Sequence, residues 1–215
     1  RLDAIPRAVL QVGKEGTLPR PVSLLGADAQ VKLVPVGGMG APRIFRGVVT
    51  SACRRVEAKG ATQLELVVEP KLFKLAKRSD LRTFLEKKVD EIVKAVFDAA
   101  AVPCSFRLGA SYAKRPNVIQ YRETDLDFVR RLCSEEGISL AWDHEADAAV
   151  FFDDPKGLAE ADDSSLLYMP EHGFGQKLAT IQKVTREVRV TTDKVHLRSY
   201  DFEKPSVALD TNAAH

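Results

Sequence analysis

Acid–base or metal-assisted chemistry could be built at one place in this sequence, around His144. The four histidines lie far apart, and His144 lies near Asp143, Asp153 and Asp154 across a predicted hairpin. An imidazole with two carboxylates could move protons or hold a metal ion for hydrolysis. However, two acids at a strand end followed by a proline are more typical of a turn, so we favour a structural role for them.

Other chemical signatures are absent from the sequence. It contains no zinc-protease, nucleophile-elbow or catalytic Cys–His pattern. The three cysteines, Cys53, Cys104 and Cys133, lack metal-ligand spacing, and we interpret them as reduced structural thiols. Gly37-Gly38-Met39-Gly40 lacks the Lys-Ser/Thr pair and the helix of a phosphate loop, which favours a hairpin connection. We therefore expect no catalytic residue, no cofactor, no metal site and no enzymatic activity.

The composition is that of an ordinary globular protein, with 45% hydrophobic residues and a net charge of +2 over 215 residues. This charge does not indicate a nucleic-acid partner, and no apolar run is long enough for a membrane anchor. Charge is nevertheless uneven, because residues 71–88 carry seven basic residues against two acids while residues 143–163 are acidic. These stretches are either solvated faces or complementary patches that meet between subunits. A ligand-binding module centred on Lys71–Lys88 is a further alternative.

The first seventy residues predict a small antiparallel barrel or sandwich. Short runs rich in Val, Leu and Ile alternate with Gly- and Pro-containing turns, which is typical of strands joined by hairpins. The predicted strands are Ala8–Val12, Val31–Val36, Ile44–Ala58 and Leu64–Glu69.

The composition then changes to one that predicts helices. Residues 70–77 predict a short helix, and apolar residues at a 3–4 spacing from Leu81 to Val96 predict an amphipathic helix capped by Ser79-Asp80. Ser105–Leu108 and Val118–Tyr121 are strand candidates on either side of a loop containing Arg115-Pro116-Asn117.

A second helix has well-defined ends. Thr124 with Asp127 three residues later is a capping-box-like pattern, and Gly137 stands where a left-handed helix stop is expected. A hairpin of Ile138–Asp143 and Ala149–Asp153 follows. We also expect ion pairs around this helix, from the acids Glu123, Asp125, Glu135 and Glu136 to the basic residues Arg122, Arg130 and Arg131.

The strand pattern returns near the end of the chain, at Ala179–Val184, Val188–Val190 and Val195–Tyr200. The predicted fold class is therefore α+β. We expect a small antiparallel β-barrel over residues 1–72, a mixed α+β middle domain over 73–170, and the start of a second, truncated β-barrel over 171–215.

The segment from Gln120 to Ile138, QYRETDLDFVRRLCSEEGI, closely resembles the QYxETDxDFxxRLxEEEGI signature of VgrG proteins. These are spike-hub subunits of bacterial type VI secretion systems, related to phage baseplate hub and late control D proteins. Further stretches resemble family elements in the same order. They are Arg43–Val49, Leu66–Leu72, Arg82-Thr83-Phe84, Leu166–Pro170 and Leu197–Pro205.

The resemblance implies a phage baseplate hub-like fold, in which two similar barrels flank the mixed domain and three chains form a ring of six barrels. It implies a structural subunit that adapts a trimeric puncturing spike to the hexameric tube protein (Hcp) for effector delivery. Its partners would then be Hcp, baseplate components, a spike-tip protein and effectors. Such a subunit assembles in the cytoplasm and is translocated on contraction.

Two alternatives remain open. The chain could be the tail hub of a contractile phage or a phage-derived injection particle, which share this hub. A weaker alternative is a metal-dependent hydrolase that uses His144 and the nearby acids. Against the family pattern, the first strand is abbreviated and the second barrel stops near Asp210.

Overall fold

The computed structural model describes residues 5–13, 18–34, 42–56, 62–158, 167–168, 180–181, 183–188, 190 and 192–214. Chain contacts divide the molecule into two compact units, one of residues 1–165 with 175–179 and one of 166–174 with 180–215. The domain boundaries at residues 72 and 170 stay predictions. None of the helices in the described ranges is long and apolar enough to cross a membrane.

The first unit begins with a curled antiparallel sheet that forms half of a barrel. Its strands are β1 (Ala8–Gly13), β2 (Asp28–Leu33), β3 (Arg43–Val56) and β4 (Thr62–Glu69), in the order β1-β4-β3-β2. A register shift between Val49 and Ser51 bends β3 against β4, because a bulge increases the local twist. The predicted antiparallel strands are thus confirmed within the described residues, and residues 35, 36, 57 and 58 of the predicted strands lie outside them. The glycine-rich segment 37–40 lies outside the described residues.

Gly47 on β3 has a packing reason to be glycine. A Cβ atom at this position would overlap the backbone oxygen of Glu69, the last residue of β4. The backbone of Pro70 lies close as well. Only a residue without a side chain lets the chain leave β4 this close to β3.

The rest of the first unit is a mixed α+β domain. Its helices are α1 (Phe73–Lys77), α2 (Val89–Ala99) and α3 (Asp125–Glu135). Its strands are β5 (Ser79–Lys87), β6 (Cys104–Arg107), β7 (Arg115–Thr124), β8 (Ser139–Asp143) and β9 (Ala148–Phe152). β5 and β7 form a two-stranded antiparallel ribbon, whereas β6, β9 and β8 form a mixed sheet in which β6 runs parallel to β9.

One hydrophobic core unites these elements. Phe97 of α2 meets Phe151 of β9 edge to face with ring centroids 5.3 Å apart, and Phe106 stacks on the same ring at 5.1 Å. On the ribbon side, Phe84 lies 5.9 Å from Phe128 of α3. Cys133 is buried in this core, and burial raises the pKa of its thiol to about 12, as suits an inert structural residue.

The predicted helix from Leu81 to Val96 is wrong in its first half. Residues 79–87 form β5, and the helix begins only at Val89. Arg82 and Phe84 face inward while Leu81 and Leu85 are exposed, so the true period is two. The apolar residues at 81, 84 and 85 fit a helical face equally well, and pairing with β7 decides between the two. The helix starts where the Glu91 carboxylate accepts a hydrogen bond from the Lys88 backbone N–H at 2.9 Å.

The predicted loop at Arg115-Pro116-Asn117 is also wrong, because these residues lie within β7. The ribbon is tied together on both sides of Pro116, with Leu85 opposite Asn117 and Lys87 opposite Arg115. A two-stranded ribbon has open edges, where a proline is tolerated. The short helix near residue 75 and the hairpin of β8 and β9 are confirmed.

The second unit contains two small pairs of strands in its described part. β10 (Leu167–Tyr168) runs parallel to β11 (Thr180–Ile181), and β12 (Lys194–Ser199) pairs with β13 (Leu209–Ala214) in antiparallel register. The strand near 195–200 is confirmed, and β13 is an addition to the prediction. Residues 188 and 190, which were expected in a strand, have no regular secondary structure.

Replacement of Gly47 by alanine tests the close approach of β3 and β4. The new methyl group must push backbone rather than a flexible side chain, so we expect a loss of about 1–3 kcal/mol in the free energy of unfolding. Chemical denaturation followed by circular dichroism measures it. Gly13→Ala is the matched control, since a Cβ there meets nothing within 4 Å. Equal stability of the two variants would contradict the role given to Gly47.

Candidate functional site

The residues considered for hydrolysis make ring contacts and turn hydrogen bonds instead of facing one another. The ring of His144 lies 4.1 Å from the ring of Phe45 on β3. Asp143 accepts hydrogen bonds from the backbone N–H groups of Glu145 at 2.8 Å and Ala146 at 3.0 Å, which closes the turn between β8 and β9. Asp154 accepts from the Lys156 N–H at 2.9 Å in the same way.

Asp153 anchors the loop that precedes β7. Its carboxylate accepts from the N–H groups of Gly109 at 2.9 Å and Ala110 at 2.8 Å, and from the Tyr112 hydroxyl at 2.9 Å. The two backbone donors and the hydroxyl lower the pKa of Asp153 to about 2. Burial and this hydrogen bond raise the pKa of Tyr112 to about 12. A carboxylate held this way is a structural anchor, and it is poorly suited to accept a proton near neutral pH.

These four side chains therefore do not converge on one reactive centre. Within the described ranges, no group of three or more His, Cys, Asp or Glu side chains is placed to hold a metal ion. Of the two acids predicted to form a turn, Asp154 does so, whereas Asp153 holds the loop that precedes β7. Asp143 closes the β8–β9 turn, which was not predicted for it.

The segment from Gln120 to Ile138 instead forms a buried polar network. Gln120 and Asp125 are its fully buried members, with 0% of each residue exposed. Arg82 of β5 donates through Nε to the Gln120 side-chain oxygen at 2.9 Å. Its Nη2 donates to Asp125 Oδ1. Gln120 Nε2 donates to the same carboxylate oxygen at 2.9 Å. The strands β5 and β7 and the helix α3 are thus joined through the carboxylate of Asp125.

Arg78 completes the network from the end of α1. Its Nε lies 3.3 Å from Asp125 Oδ2, and its backbone oxygen accepts from the Asp125 N–H at 2.8 Å. Its Nη1 donates at 2.5 Å to the backbone oxygen of Ala99, the last residue of α2. The carboxylate therefore has cationic neighbours on both oxygens, which a buried charge requires.

The predicted caps of α3 are confirmed, whereas the cap predicted at Ser79-Asp80 is wrong because these residues begin β5. Thr124 Oγ1 accepts from the Asp127 N–H at 3.1 Å and donates to its carboxylate at 2.7 Å. Gly137 has φ +70°, the left-handed conformation expected of a helix stop. The first turn of α3 is thereby fixed next to the buried carboxylate.

The ion pairs around α3 match the prediction only in part. Glu123 pairs with Arg131 at 2.6 Å, which is one of the expected ion pairs. Glu135 also lies 3.6 Å from Arg131, as expected. Glu135 and Glu136 are held more closely, at 2.5 Å and 2.6 Å, by Arg115 of β7, a partner that the local sequence did not indicate. Arg122 was wrongly expected to pair with these acids, since its guanidinium lies 5.3 Å from the ring of Tyr121.

A second group of contacts joins the first sheet to the middle domain. Arg46 of β3 donates to the Glu145 backbone oxygen at 2.5 Å, and Lys71 pairs with Asp147 at 2.7 Å. With the His144–Phe45 contact, these define a joint between the sheet and the turn of β8 and β9. At Lys71 and Asp147 the basic and acidic stretches meet within one chain.

The comparisons with known proteins agree with this architecture. The model of the phage tail baseplate hub (GPD) family matches residues 12–215. The chain therefore belongs to the phage tail baseplate hub family. Among its relatives are type VI secretion system spike proteins of Pseudomonas aeruginosa. VgrG4b is 31% identical over 76% of this chain, and VgrG1c is 30% identical over 89% of it.

A solved structure supports the fold. One match is the E. coli c3393 protein, which is described as a type VI secretion component similar to the T4 tail proteins gp27 and gp5. The TM-score is 0.62 at 26% identity, over 76% of this chain and 45% of that one. The chain spans 21% of the length of VgrG4b and 27% of VgrG1c.

Loss of the buried carboxylate should weaken the middle domain severely. In Asp125→Asn, two guanidinium groups lose their anionic partner, so we expect a loss of about 3 kcal/mol or more in the free energy of unfolding. Urea denaturation monitored by Trp142 fluorescence reports on this domain. Asp98→Asn, which breaks an exposed pair with Lys94, is the matched control and should change stability by less than about 0.5 kcal/mol. Similar losses in both variants would count against the network.

The contacts of the joint should become less stable in mild acid, because His144 gains a proton there. Burial lowers the pKa of His144, against the raising effects of the Arg46 backbone hydrogen bond and of Asp143 and Asp147. A lowered folded-state pKa means that the unfolded chain binds more protons, so stability falls as the pH drops below roughly 6.5.

The test compares urea midpoints between roughly pH 7.5 and 5.5 in wild type and in His144→Phe. The phenylalanine keeps a ring against Phe45 and cannot titrate, so its midpoint should fall less over this range. An identical slope in both proteins would show that His144 does not contribute.

Proposed function

We propose that this chain is part of a structural spike-hub subunit that joins a trimeric puncturing spike to a hexameric, Hcp-like tube for effector delivery. The observation that carries this proposal is the family match over residues 12–215, together with relatives that are named spike proteins. The baseplate, a spike-tip protein and effectors would be further partners of the whole protein. Assembly in the cytoplasm and translocation on contraction follow from the same role.

The internal contacts of the chain suit a mechanical part. The signature residues Gln120 and Asp125 face inward and hold elements together, rather than lining an open cleft. The joint of Arg46, Lys71 and His144 connects the half-barrel to the middle domain through an ion pair, a hydrogen bond and a ring contact. Force applied to the sheet would therefore pass into the middle domain through several parallel contacts.

We also propose that this part of the protein is not enzymatic. Its relatives are structural spike and hub proteins. The actin cross-linking toxin VgrG1 of Vibrio cholerae is 28% identical over 69% of this chain, but the match covers 14% of that toxin. The toxin's activity is therefore not assigned to this chain.

A tail hub of a contractile phage or a phage-derived particle is the second candidate, because the matching family is described as a phage tail baseplate hub. Both candidates predict three hub chains against a sixfold tube. They differ in the tube protein that the hub recognises.

The test uses the protein encoded by the whole gene that carries this chain. Light scattering after size exclusion should give the mass of a trimer, and addition of the secretion-system tube protein should give a complex of one trimer with a hexameric ring. A phage tail-tube protein serves as the parallel sample, and selective binding to it would favour the second candidate. A monomer that binds neither tube protein would overturn the proposal.

A further inference from the structure

Strand β8 lies at the edge of the three-stranded sheet of the middle domain. The strand order is β6-β9-β8, and among the described residues β9 is the only strand that pairs with β8. Along a strand that is paired on one side, the backbone N–H and C=O groups point alternately toward the partner and away from it. Alternate residues of Ser139–Asp143 therefore present backbone donors and acceptors on the side away from β9.

This edge lacks the features that commonly block pairing. Its sequence, SLAWD, includes neither proline nor lysine, and its register with β9 runs without a shift. The ribbon differs, because β7 contains Pro116 and the register of β5 shifts between Asp80 and Arg82. Proteins usually protect an edge with such residues or bulges, so an edge without them is open to another strand.

A groove of about 360 Å³ lies between this edge and helix α3. Its apolar lining comes from side chains of the hydrophobic core, namely Val129 and Cys133 of α3, Leu140 of β8, and Ile138 just before β8. Ser134 of α3 also lines the groove and is exposed. The groove has the volume of a small ligand pocket, and it leads from the edge of the sheet to the core.

The edge and the groove together fit an extended chain. A strand laid beside β8 would bond its free backbone groups, and every second side chain of that strand would point to the face of the sheet that carries Leu140. Leu140 belongs to the core and lines the groove, so one of those side chains would enter the groove. A helix cannot pair with the edge in this way, since its backbone groups are bonded within the helix.

A second folded copy of this chain fits the site less well than a single extended segment. If two β8 edges paired with each other, the side chains of the second β8 on this face would be its Leu140 and Trp142. Both are already packed in or against the hydrophobic core of their own chain. Neither is available to enter the groove of a neighbour, so the groove would stay unfilled.

We propose that β8 and the groove beside it form a strand-addition site for a partner protein. An extended segment of the partner pairs with β8 through its backbone and places one apolar side chain between Val129 and Leu140. In this mode of recognition the backbone hydrogen bonds supply affinity, and the pocket for the side chain supplies selectivity. The assignment does not rest on the proposed hub function.

The probe is a fluorescein-labelled peptide of about seven residues, with leucine at the centre and threonine elsewhere, because threonine favours extended chains. Two counterparts differ from it in one feature each. One has serine in place of the leucine, and the other carries N-methyl groups on its central backbone nitrogens. Fluorescence anisotropy with this chain should show saturable binding of the leucine peptide, and binding at least about tenfold weaker for either counterpart.

Two tryptophan substitutions locate the binding. Ser134→Trp fills the groove from an exposed position of α3 and should weaken binding of the leucine peptide at least about tenfold. Ala95→Trp is the matched control, because Ala95 is an exposed residue of α2 that does not line the groove. It should bind the peptide as wild type does. Circular dichroism checks that both variants keep their fold.

Several results would overturn the proposal. One is the absence of saturable binding by the leucine peptide, and another is equally tight binding of either counterpart. Unchanged binding in Ser134→Trp would place the peptide elsewhere on the chain and would overturn it too. A dimer of this chain, seen by light scattering and dissociated by Ser134→Trp, would contradict the proposal by assigning the edge to a second copy.

Discussion

The middle domain depends on a carboxylate that has no contact with solvent, that of Asp125. A buried charge without a partner is strongly destabilising, so the elements around it must supply compensation. Arg82 from β5, Gln120 from β7 and Arg78 from the end of α1 all do so. Since these residues come from different elements, the carboxylate also fixes how the elements meet.

The remaining features of the domain follow from this constraint. Thr124 caps α3 next to Asp125, which orients the first turn, and Gly137 ends the helix where the β8–β9 hairpin begins. The turn of that hairpin then reaches β3, where His144 meets Phe45. A chain of contacts therefore runs from the ribbon through α3 to the half-barrel. This continuity fits the structural role that we propose.

Structural features that depend on residues close together in the chain could be predicted from the sequence. The cap at Thr124, the stop at Gly137 and most strands of the half-barrel rest on neighbouring residues, and the structure confirms them. The contact of Asp125 with Arg82 joins residues far apart in sequence, so no local pattern could reveal it. The resemblance had marked Arg82, Gln120 and Asp125 as signature residues, and the structure supplies the physical reason.

The errors have a physical cause as well. The residues at 81, 84 and 85 suit a helix and a strand alike, and only the partner strand β7 settles the choice. The turn predicted for the two acids before Pro155 is formed by Asp154, while Asp153 holds a loop more than forty residues away in sequence. The contacts of the β8–β9 turn with Arg46 and Lys71, which form the joint, depend on tertiary packing.

A double-mutant cycle on Arg82 and Asp125 tests most directly whether the signature residues act as one structural unit. The four proteins are wild type, Arg82→Met, Asp125→Leu and the double variant, and the quantity measured is the free energy of unfolding of the middle domain. The account predicts that the double variant loses less than the sum of the single losses, with a coupling energy of about 1–3 kcal/mol. Strictly additive losses would contradict it.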